Sequence, residues 1–270
     1  MVDALQVRTI AELMADLKAL GVTWGGVVMV HASLRALGPV ERRAEGVVEA
    51  LDRSVGPKGT LLMVLGAHDD WAWVNDRPES ERPPLLADAV PFDCRVTPAE
   101  EDVGVLAEVF RVTPGTIVSD HPEGRFGARG GQARAFVEDV PWDDYYGRGS
   151  PLERLVEADG QVLRLGADPN TVTLTHYAEY LAALPHKRRV RRTRRVATAG
   201  GSKIRTIECL DDTNGIVEYP GQDYFGVILE AYAQHGGVRR GPVANAAGEI
   251  IQARPFVEFA ARWMEAHLHP

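Results

Sequence analysis

Two apolar stretches decide the fold, VVMVHASL at residues 27–34 and TLLMVLGA at residues 60–67. Each opens with a run of apolar residues that favour strands and closes with small or polar ones, which is typical of a strand buried on both faces. Between them, AEGVVEALDRSV at residues 44–55 has helical spacing, and GPKG predicts a turn. This strand–helix–strand order predicts a parallel pair of strands and an α/β fold. The ends of the two strands, at HASL and at GAHDD, are where such a sheet binds ligands.

The elements around this core alternate between helices and strands. Thr9 and Glu12 have the capping-box spacing, which predicts a helix over residues 10–20. Residues 71–101 combine tryptophan, proline and many charges, and they predict a long functional segment on the surface. A length of 270 residues predicts one large domain or two small ones. Further helices are predicted at residues 103–110, 150–160, 173–184, 224–234 and 257–267, and further strands at GTIV, RFGARG and QVLRLGA.

The composition predicts a globular protein with an acidic surface. The 270 residues are 45% hydrophobic and 25% charged, which argues against disorder, collagen and coiled coil. Lys and Arg number 30, Asp and Glu number 38, and the net charge is -8. Nucleic acid and anionic membranes are therefore not the expected partners, whereas a cationic ligand is.

The cysteines and the amino terminus bear on the cellular compartment. Cys94 and Cys209 are too few for a disulfide framework or a zinc knuckle, and we expect both in the core. The first residues mix acids with apolar residues, unlike a signal peptide, and no apolar run approaches the ~18–20 residues of a membrane span. The sequence predicts a cytoplasmic protein and leaves open whether it is a monomer or a homodimer.

The strongest chemical signal is QVLRLGADPNTVTLTHYAEYLAAL, residues 161–184, where a strand ends in a glycine turn and a helix follows. His176 and Glu179 are three residues apart and share one face of that helix. A carboxylate beside an imidazole fixes its tautomer and stabilises its charged form, which suits a general base. The same spacing also suits an ordinary surface pair, and the neighbouring strand end is what favours catalysis.

Polar residues also follow the two apolar strands. His31 and Ser33 end the first strand, where imidazole, hydroxyl and backbone N–H groups can bind a phosphate or an amide. The second strand ends in His68, Asp69 and Asp70, whose two acids can bind an ammonium group. Each group also has a purely structural explanation. His31 can be a histidine whose hydrogen bonds are satisfied within the protein, and residues 68–70 can be a polar turn exposed to solvent.

Two weaker possibilities concern a loop histidine and a metal ion. His121 precedes a proline in SDHP, which favours an extended backbone at the histidine. This pattern orients the side chain and does not indicate a function for it. A metal-dependent hydrolase is an alternative function, although no ligand spacing such as HExxH supports it. Its ligands would be His68, Asp69, His176 and Glu179.

KRRVRRTRRV, residues 187–196, carries seven basic residues. Its apolar and hydroxyl residues recur every third position and give no clean face. We expect a solvated edge or hairpin. A nucleotide phosphate site is the next possibility, and nucleic acid is the weakest because the rest of the chain is acidic.

Several of these segments together resemble the aminoglycoside 3-N-acetyltransferases, a family distinct in fold from the small general acetyltransferases. The similarity runs from about residue 10 to residue 267, and the order of several motifs makes it specific. It implies that residues 1–270 form a single domain of this family. It implies an α/β fold in which helices flank a central mixed, largely parallel sheet, with a long inserted segment and a carboxyl-terminal region on the substrate side. The segments are VVMVHASLRALGPV, EGVVEALDRSVGPKGTLLM, SDHP, GRGSPLERL, LRLGADPNTVTLTHYAEYLAALPHKRRV, DDTNGIVEY and GPVANAAGEIIQARPFVEFAARWMEAHL.

The resemblance implies transfer of an acetyl group from acetyl-coenzyme A, as co-substrate and without a metal, to the 3-amino group of the 2-deoxystreptamine ring. His176 stands at the family's catalytic histidine within Thr-x-x-His-x-x-Glu, and Glu179 at the acid that follows it. The implied coenzyme-binding residues are His31, Ser33, Leu34, Arg35, Ser119, His121, Ser150, Pro151 and Thr173.

The cationic substrate, an aminoglycoside or another amine, is expected to contact acids near turns. The segment after the second strand is longer than in relatives and forms part of the substrate side. The range of accepted substrates is therefore the property that the resemblance predicts least well. Among acids near turns, which include Asp211 and Asp212, we expect substrate contacts from Asp69, Asp70 and Glu218.

The expected mechanism is direct transfer in a ternary complex, because no nucleophilic cysteine or serine motif is present. His176 would take the proton of the amine, Glu179 would orient it, and Thr173 or Thr175 would meet the oxyanion. Besides the metal hydrolase, a non-catalytic protein that binds a cationic small molecule or a nucleotide remains an alternative.

Overall fold

The computed structural model describes residues 6–219 and 223–268. Its strands are β1 Val27–Ala32, β2 Thr60–Val64, β3 Ile117–Val118, β4 Phe126–Gly130, β5 Gln161–Leu165, β6 Arg189–Thr198, β7 Gly201–Leu210, β8 Val238–Val243 and β9 Ala246–Gln252. Its helices are α1 Ile10–Leu20, α2 Leu34–Leu37, α3 Arg43–Val55, α4 Arg82–Leu85, α5 Val105–Val112, α6 Ala133–Val137, α7 Pro151–Glu157, α8 Leu174–Leu181, α9 Tyr224–Gln234 and α10 Ala253–His267.

Among the described residues, seven strands form one mixed sheet in the order β3-β4-β2-β1-β5-β9-β8. The central strand β1 is parallel to β2 and to β5, whereas β4 and β9 pair with their neighbours in antiparallel fashion. The predicted α/β fold with a mixed sheet is therefore confirmed. The expected parallel character is limited to the three central strands, because strands β3, β4, β8 and β9 are joined by hairpins or loops rather than by helical crossovers.

The central strands are buried on both faces, as the sequence predicted. Val28 and Val30 pack in one core with helices α1, α3 and α5, while Val27 and Met29 face the opposite core with helices α7 to α10. Because side chains alternate along a strand, two apolar layers require a continuous apolar run. The carboxyl ends of β1, β2 and β5 meet at one edge of the sheet, where His31 and the loop after β5 lie.

Four helices differ from their predicted bounds by two residues or more. Helix α5 spans Val105–Val112, not residues 103–110, because Gly104 directly before it has a left-handed backbone with φ of 85°. Helix α7 ends before Gly160 because Asp159 adopts a left-handed backbone with φ of 47°. Helix α8 ends at Leu181, and Pro185 follows, whose ring disfavours helical geometry in the residue before it. Helix α10 begins at Ala253, before the predicted position, because a proline is tolerated in a first helical turn.

The long surface segment predicted at residues 71–101 is present, and with residues 66–70 it forms a series of turns and short helices that include α4. Two backbone hydrogen bonds, from His68 N–H to Pro98 at 3.2 Å and from Glu100 N–H to Leu65 at 2.8 Å, join its two ends, and one side chain adds to them. Arg125, fully buried, donates from Nη1 to the carbonyl oxygens of Gly66 (3.2 Å) and Pro98 (3.0 Å), and from Nη2 to that of Cys94 (2.8 Å). Burial lowers the pKa of this guanidinium to about 10, so it stays charged at neutral pH.

The basic run lies on strand β6, which pairs with β7 in a hairpin, so the predicted hairpin is confirmed. Each of its seven basic side chains has a partner within the chain, which leaves no set of free cations for a phosphate or for nucleic acid. Arg191 pairs with Glu79 at 2.7 Å and Arg195 donates to the carbonyl oxygen of Ala89 at 3.0 Å. The run therefore fastens the long surface segment to the hairpin.

Two further expectations concern the cysteines and the membrane. Cys209 is buried, as predicted, whereas Cys94 is only half-buried because it lies in the surface segment. None of the described helices combines the length and the apolarity that crossing a membrane requires.

Candidate active site

The structure brings the predicted helix pair into direct contact. His176 and Glu179 lie on the same face of α8, and Nδ1 of the imidazole is 2.7 Å from Oε2 of the carboxylate. The Glu179 side chain is 1% exposed and that of His176 is 15% exposed. Since Nδ1 is bonded to the carboxylate, Nε2 is the ring nitrogen left to meet a substrate.

A third residue, Tyr224 at the start of α9, completes this arrangement. Its hydroxyl donates to Oε1 of Glu179 and accepts the backbone N–H of Ile216 at 3.2 Å. Both carboxylate oxygens of the buried acid are thereby satisfied, which fixes its orientation. The sequence analysis did not identify Tyr224, because 45 residues separate it from Glu179 and no local motif marks it.

Two aromatic rings fix the plane of the imidazole. Tyr146 stacks on His176 with the ring centroids 4.9 Å apart and an interplanar angle of 8°, and Phe225 meets it edge-on at 4.7 Å. These contacts leave the imidazole little freedom to rotate, which keeps Nε2 aimed in one direction.

The pKa of His176 lies above its ordinary value. Burial disfavours the imidazolium, but the Glu179 carboxylate, with smaller contributions from Asp212 and Asp223, outweighs burial and stabilises the charged form. A proton taken from a substrate is therefore held more strongly than it would be by a free imidazole.

Two cavities meet at His176. The larger, about 760 Å³, lies at the carboxyl ends of β1 and β2 and under the loop after β5. Open α/β sheets usually bind their ligands at the carboxyl ends of their strands. The smaller, about 290 Å³, is bounded by Glu179, the loop after β7 and the start of α9. The described residues that line both cavities are Asn170, His176, Asp212 and Phe225.

The larger cavity contains part of the predicted coenzyme-binding set. His31, Ser33 and Thr173 line it, and Leu34 and Arg35 follow directly in α2. Burial, and then the nearby positive charge of Arg164, lower the pKa of His31 to about 4, so its ring is neutral at pH 7. Its Nε2 is buried without a hydrogen-bond partner in the described part of the chain, and a ligand in the cavity can supply one.

Ser119, His121, Ser150 and Pro151 lie in the interior and line neither of these two cavities. Ser119 Oγ accepts the N–H of Phe126, and Ser150 Oγ caps α7 through the N–H of Glu153. His121 Nδ1 accepts the N–H of Gly124 at 2.7 Å while Nε2 donates to a carbonyl oxygen. These residues hold the chain behind the site, and their contact with a coenzyme stays a prediction.

The buried imidazole of His121 predicts a loss of stability in acid. Burial lowers its pKa to about 4, against ~6.5 in the unfolded chain, so only the unfolded chain gains a proton as the pH falls below 6.5. This group alone is expected to remove about 2 kcal/mol of unfolding free energy between pH 7 and pH 5. Urea unfolding at both values, on the unsubstituted protein and on His121→Gln, measures the difference. If the unsubstituted protein and His121→Gln lost the same unfolding free energy between pH 7 and pH 5, the role of His121 would be contradicted. His235→Gln, at an exposed site, is the control and should lose as much as the unsubstituted protein.

The three predicted substrate acids do not line the two cavities at His176. Asp69 and Asp70 line a separate cavity of about 220 Å³ formed by the long surface segment, and Glu218 is exposed and lines neither cavity at His176. Their contact with a substrate stays a prediction. Asp212, in contrast, lines both cavities.

The Asp212 carboxylate is held in place from behind. Arg192 Nη2 and the Tyr145 hydroxyl each donate to it at 2.5 Å. Arg192 lies 3.9 Å from the buried Glu123, which in turn pairs with Arg194 at 3.1 Å. These contacts fix the orientation of the acid at the wall that the two cavities share.

The alternative metal site is not supported. Asp69 is ion-paired with Arg194 at 2.7 Å, and His68 contacts Asp70, so neither reaches His176 and Glu179. Within residues 6–219 and 223–268, no three His, Cys, Asp or Glu side chains are grouped so that they could hold a metal ion.

Comparisons with known proteins identify relatives over nearly the whole chain. A sequence model of the family described as aminoglycoside 3-N-acetyltransferase matches residues 29–265. Aminoglycoside N(3)-acetyltransferase VII of Streptomyces paromomycinus is 36% identical over 266 residues, which cover 96% of this chain and 92% of that protein.

Solved structures agree with the sequence comparison. The binary complex of AAC-IIIb with CoASH superposes with a TM-score of 0.92 at 36% identity, covering 98% of this chain and 100% of that one. Sisomicin-bound AAC-VIa superposes with a TM-score of 0.90 at 32% identity, covering 97% of this chain and 99% of that one.

Proposed function

Because the chain belongs to the aminoglycoside 3-N-acetyltransferase family, we propose that it is an acyltransferase that moves the acetyl group of acetyl-coenzyme A to the 3-amino group of the 2-deoxystreptamine ring of aminoglycosides. The observation that carries this proposal is the imidazole of His176, oriented by Glu179 and Tyr224, at the junction of two cavities. A transferase of this type needs a base between two substrates, and this arrangement provides one.

The larger cavity suits acetyl-coenzyme A, which acts as co-substrate. Its volume lies within the ~300–1,000 Å³ usual for small-molecule sites. The unpartnered Nε2 of the neutral His31 and the hydroxyls of Ser33 and Thr173 can hydrogen-bond the amides and carbonyls of such a molecule. We assign these three residues, with Leu34 and Arg35 beyond them, to the coenzyme side.

The smaller cavity suits a polycationic amine. Its wall carries the carboxylates of Asp212 and Asp223 in addition to Glu179. The net charge of -8 attracts such a substrate over a longer range and speeds encounter. We assign Asp212 to the ammonium groups of the substrate, because its carboxylate is held by Arg192 and Tyr145 before any ligand arrives.

The site residues then account for the reaction. The amine nitrogen attacks the thioester carbon, and Nε2 of His176 takes the proton that the nitrogen loses. Glu179 stabilises the imidazolium, which returns its proton to the departing thiolate. Acetylation removes one positive charge from the aminoglycoside, the chemical basis of antibiotic resistance, and we propose that this takes place in the cytoplasm, where acetyl-coenzyme A is available.

A thiol-release assay tests the proposal. Purified protein with acetyl-coenzyme A and a panel of 2-deoxystreptamine aminoglycosides should release coenzyme A thiol only when an amine is present. Thiol release that is independent of any amine would indicate hydrolysis. No release with any amine, and no binding of coenzyme A by calorimetry, would contradict the proposal.

Tyr224→Phe is expected to change the pH dependence of the reaction. The variant keeps the ring but removes the hydrogen bond to Glu179, so the carboxylate retains more negative charge and raises the pKa of His176 further. Activity depends on the neutral imidazole, so it falls as the pH drops through that pKa. The acid limb of kcat/KM should lie above pH 6.5 in the unsubstituted protein and move to higher pH in the variant.

Tyr232→Phe is the matched control, since it removes a hydroxyl from the same helix where Tyr232 packs on Phe256 and Phe259, away from Glu179. Its profile should equal that of the unsubstituted protein. A shift shared by both variants, or none in Tyr224→Phe, would show that Tyr224 does not act through the His176 and Glu179 pair.

A further inference from the structure

The four described residues at the junction of the two cavities differ in what they can offer. Phe225 has no polar group, the Asp212 carboxylate accepts hydrogen bonds, and His176 is the base. Among these four, Asn170 alone has a neutral hydrogen-bond donor that is not already engaged, because the N–H of the neutral His176 ring is bonded to Glu179. Acetyl transfer requires such a donor where the two substrates meet, because negative charge develops on the thioester oxygen.

We propose that the side-chain amide of Asn170 donates the hydrogen bond that stabilises the oxyanion formed during acetyl transfer. This inference rests on the proposed function and adds a catalytic residue to it. Asn170 lies in the turn between β5 and α8, and its side chain is exposed on the wall of both cavities, where bound substrates can reach it.

The contacts of Asn170 determine which end of its amide faces the substrates. Oδ1 accepts the backbone N–H of Gly226 in the first turn of α9 at 2.8 Å. Because an N–H must point at the oxygen, the amide orientation is unambiguous, and Nδ2 is the atom left for a ligand. The backbone N–H of Asn170 is bonded to Asp168 Oδ1 at 2.8 Å, which fixes the turn itself.

The Asn170 side chain packs so closely against Gly226 of α9 that a larger residue at position 226 would displace it. A Cβ atom built on Gly226 would lie 2.5 Å from Oδ1 of Asn170, closer than a real contact allows. Gly226 is therefore the residue that permits the approach. A methyl group at residue 226 would displace the amide without altering any chemical group of the site.

The threonines predicted for this role fit it less well. Thr175 is fully buried, and its hydroxyl lines neither of the two cavities at His176. Thr173 lines the larger cavity and is absent from the wall of the smaller one. Asn170 reaches both, which is where the carbon under attack must lie.

The step balances without another reactant. The lone pair of the neutral amine forms the C–N bond, and the carbonyl π pair moves onto oxygen, which accepts Nδ2–H of Asn170. The nitrogen then gives its proton to His176. As the C=O bond re-forms, the C–S bond breaks, and the sulfur leaves with the electron pair and receives the proton from the imidazolium. One amine and one thioester give one amide and one thiol.

Asn170→Asp tests the inference, because it keeps an oxygen for the N–H of Gly226 and replaces the Nδ2 donor by an acceptor. Removing one oxyanion donor typically lowers kcat by about 100–1,000-fold, and we expect that loss with acetyl-coenzyme A affinity changed by less than about threefold. Gly226→Ala is the second variant: it should also lower kcat, without lowering the thermal midpoint, since alanine favours the helix.

Asn75→Asp is the matched control, since Asn75 Oδ1 likewise accepts a backbone N–H, from Thr193 at 2.7 Å, at a site outside both cavities. Its kcat should equal that of the unsubstituted protein. A kcat of Asn170→Asp within about threefold of normal, or a change confined to the KM for acetyl-coenzyme A, would overturn the inference. Absence of amine-dependent thiol release by the unsubstituted protein would contradict the proposed function itself, and this inference with it.

Discussion

His176→Ala is expected to lower kcat by about 100–10,000-fold, the usual contribution of a positioned base. The structure gives the reason: the Nδ1 contact with Glu179 and the stacking on Tyr146 leave Nε2 as the one ring nitrogen that faces the two cavities. Without the imidazole, the attacking amine must lose its proton to water. Binding of coenzyme A should change little, because the larger cavity is lined mainly by other residues.

Steady-state thiol release measures the loss, and calorimetry with coenzyme A measures the binding. His176→Gln, which fills more of the space between the aromatic rings, should lose the same activity, so that a collapsed cavity can be distinguished from a missing base. His235→Ala, at an exposed site on the end of α9, is the control. A kcat of both His176 variants within about tenfold of normal would show that this imidazole is not the base.

Arg125→Met is expected to lower the free energy of unfolding by about 3–5 kcal/mol, since each buried carbonyl left unsatisfied costs about 1–3 kcal/mol. The guanidinium lies over the ring of Phe92 at 5.4 Å and bonds three carbonyl oxygens, and in the described part of the chain no carboxylate is ion-paired with it. Methionine fills part of the volume and supplies none of the donors. The carbonyl oxygens of Gly66 and Cys94 then lose their side-chain donor, and the ends of the segment are joined only by the backbone hydrogen bonds from His68 to Pro98 and from Glu100 to Leu65.

Urea unfolding measures the expected loss, and limited proteolysis shows where the chain opens. New cleavage sites should fall within residues 67–98. Arg53→Met, which removes an exposed arginine paired with Glu49 at 3.3 Å, is the control and should change stability by less than about 1 kcal/mol. An unchanged urea midpoint in Arg125→Met would contradict the role of this side chain.

The fold was predictable where a short stretch of sequence decides the local structure. The apolar runs of β1 and β2 and the capping box of α1, with Thr9 and Glu12, determine their elements almost alone. The antiparallel strands β4 and β9 were harder to place, because their pairing depends on partners far along the chain. Arg125 shows the same limit, since nothing beside it in the sequence indicates that it joins residues 66 and 98.

The candidate site divides in the same way. The contact of His176 with Glu179 follows from helical spacing, and the sequence predicted it. Tyr224, Asp212 and Asn170 reach the site through tertiary packing, and only the structure shows which of the many acids and amides meet the cavities. Ser119 and Ser150, identified by resemblance, are buried and satisfy backbone groups, and their contact with a coenzyme stays a prediction.

The central claim is that this protein acetylates the 3-amino group of the 2-deoxystreptamine ring. The most direct measurement is the NMR spectrum of the product formed from acetyl-coenzyme A and a 2-deoxystreptamine aminoglycoside, which shows which nitrogen carries the acetyl group. We predict a single product, acetylated at the 3-amino nitrogen, and none with His176→Ala. Acetylation at another amine or at a hydroxyl, or an unchanged aminoglycoside across the panel, would contradict the account.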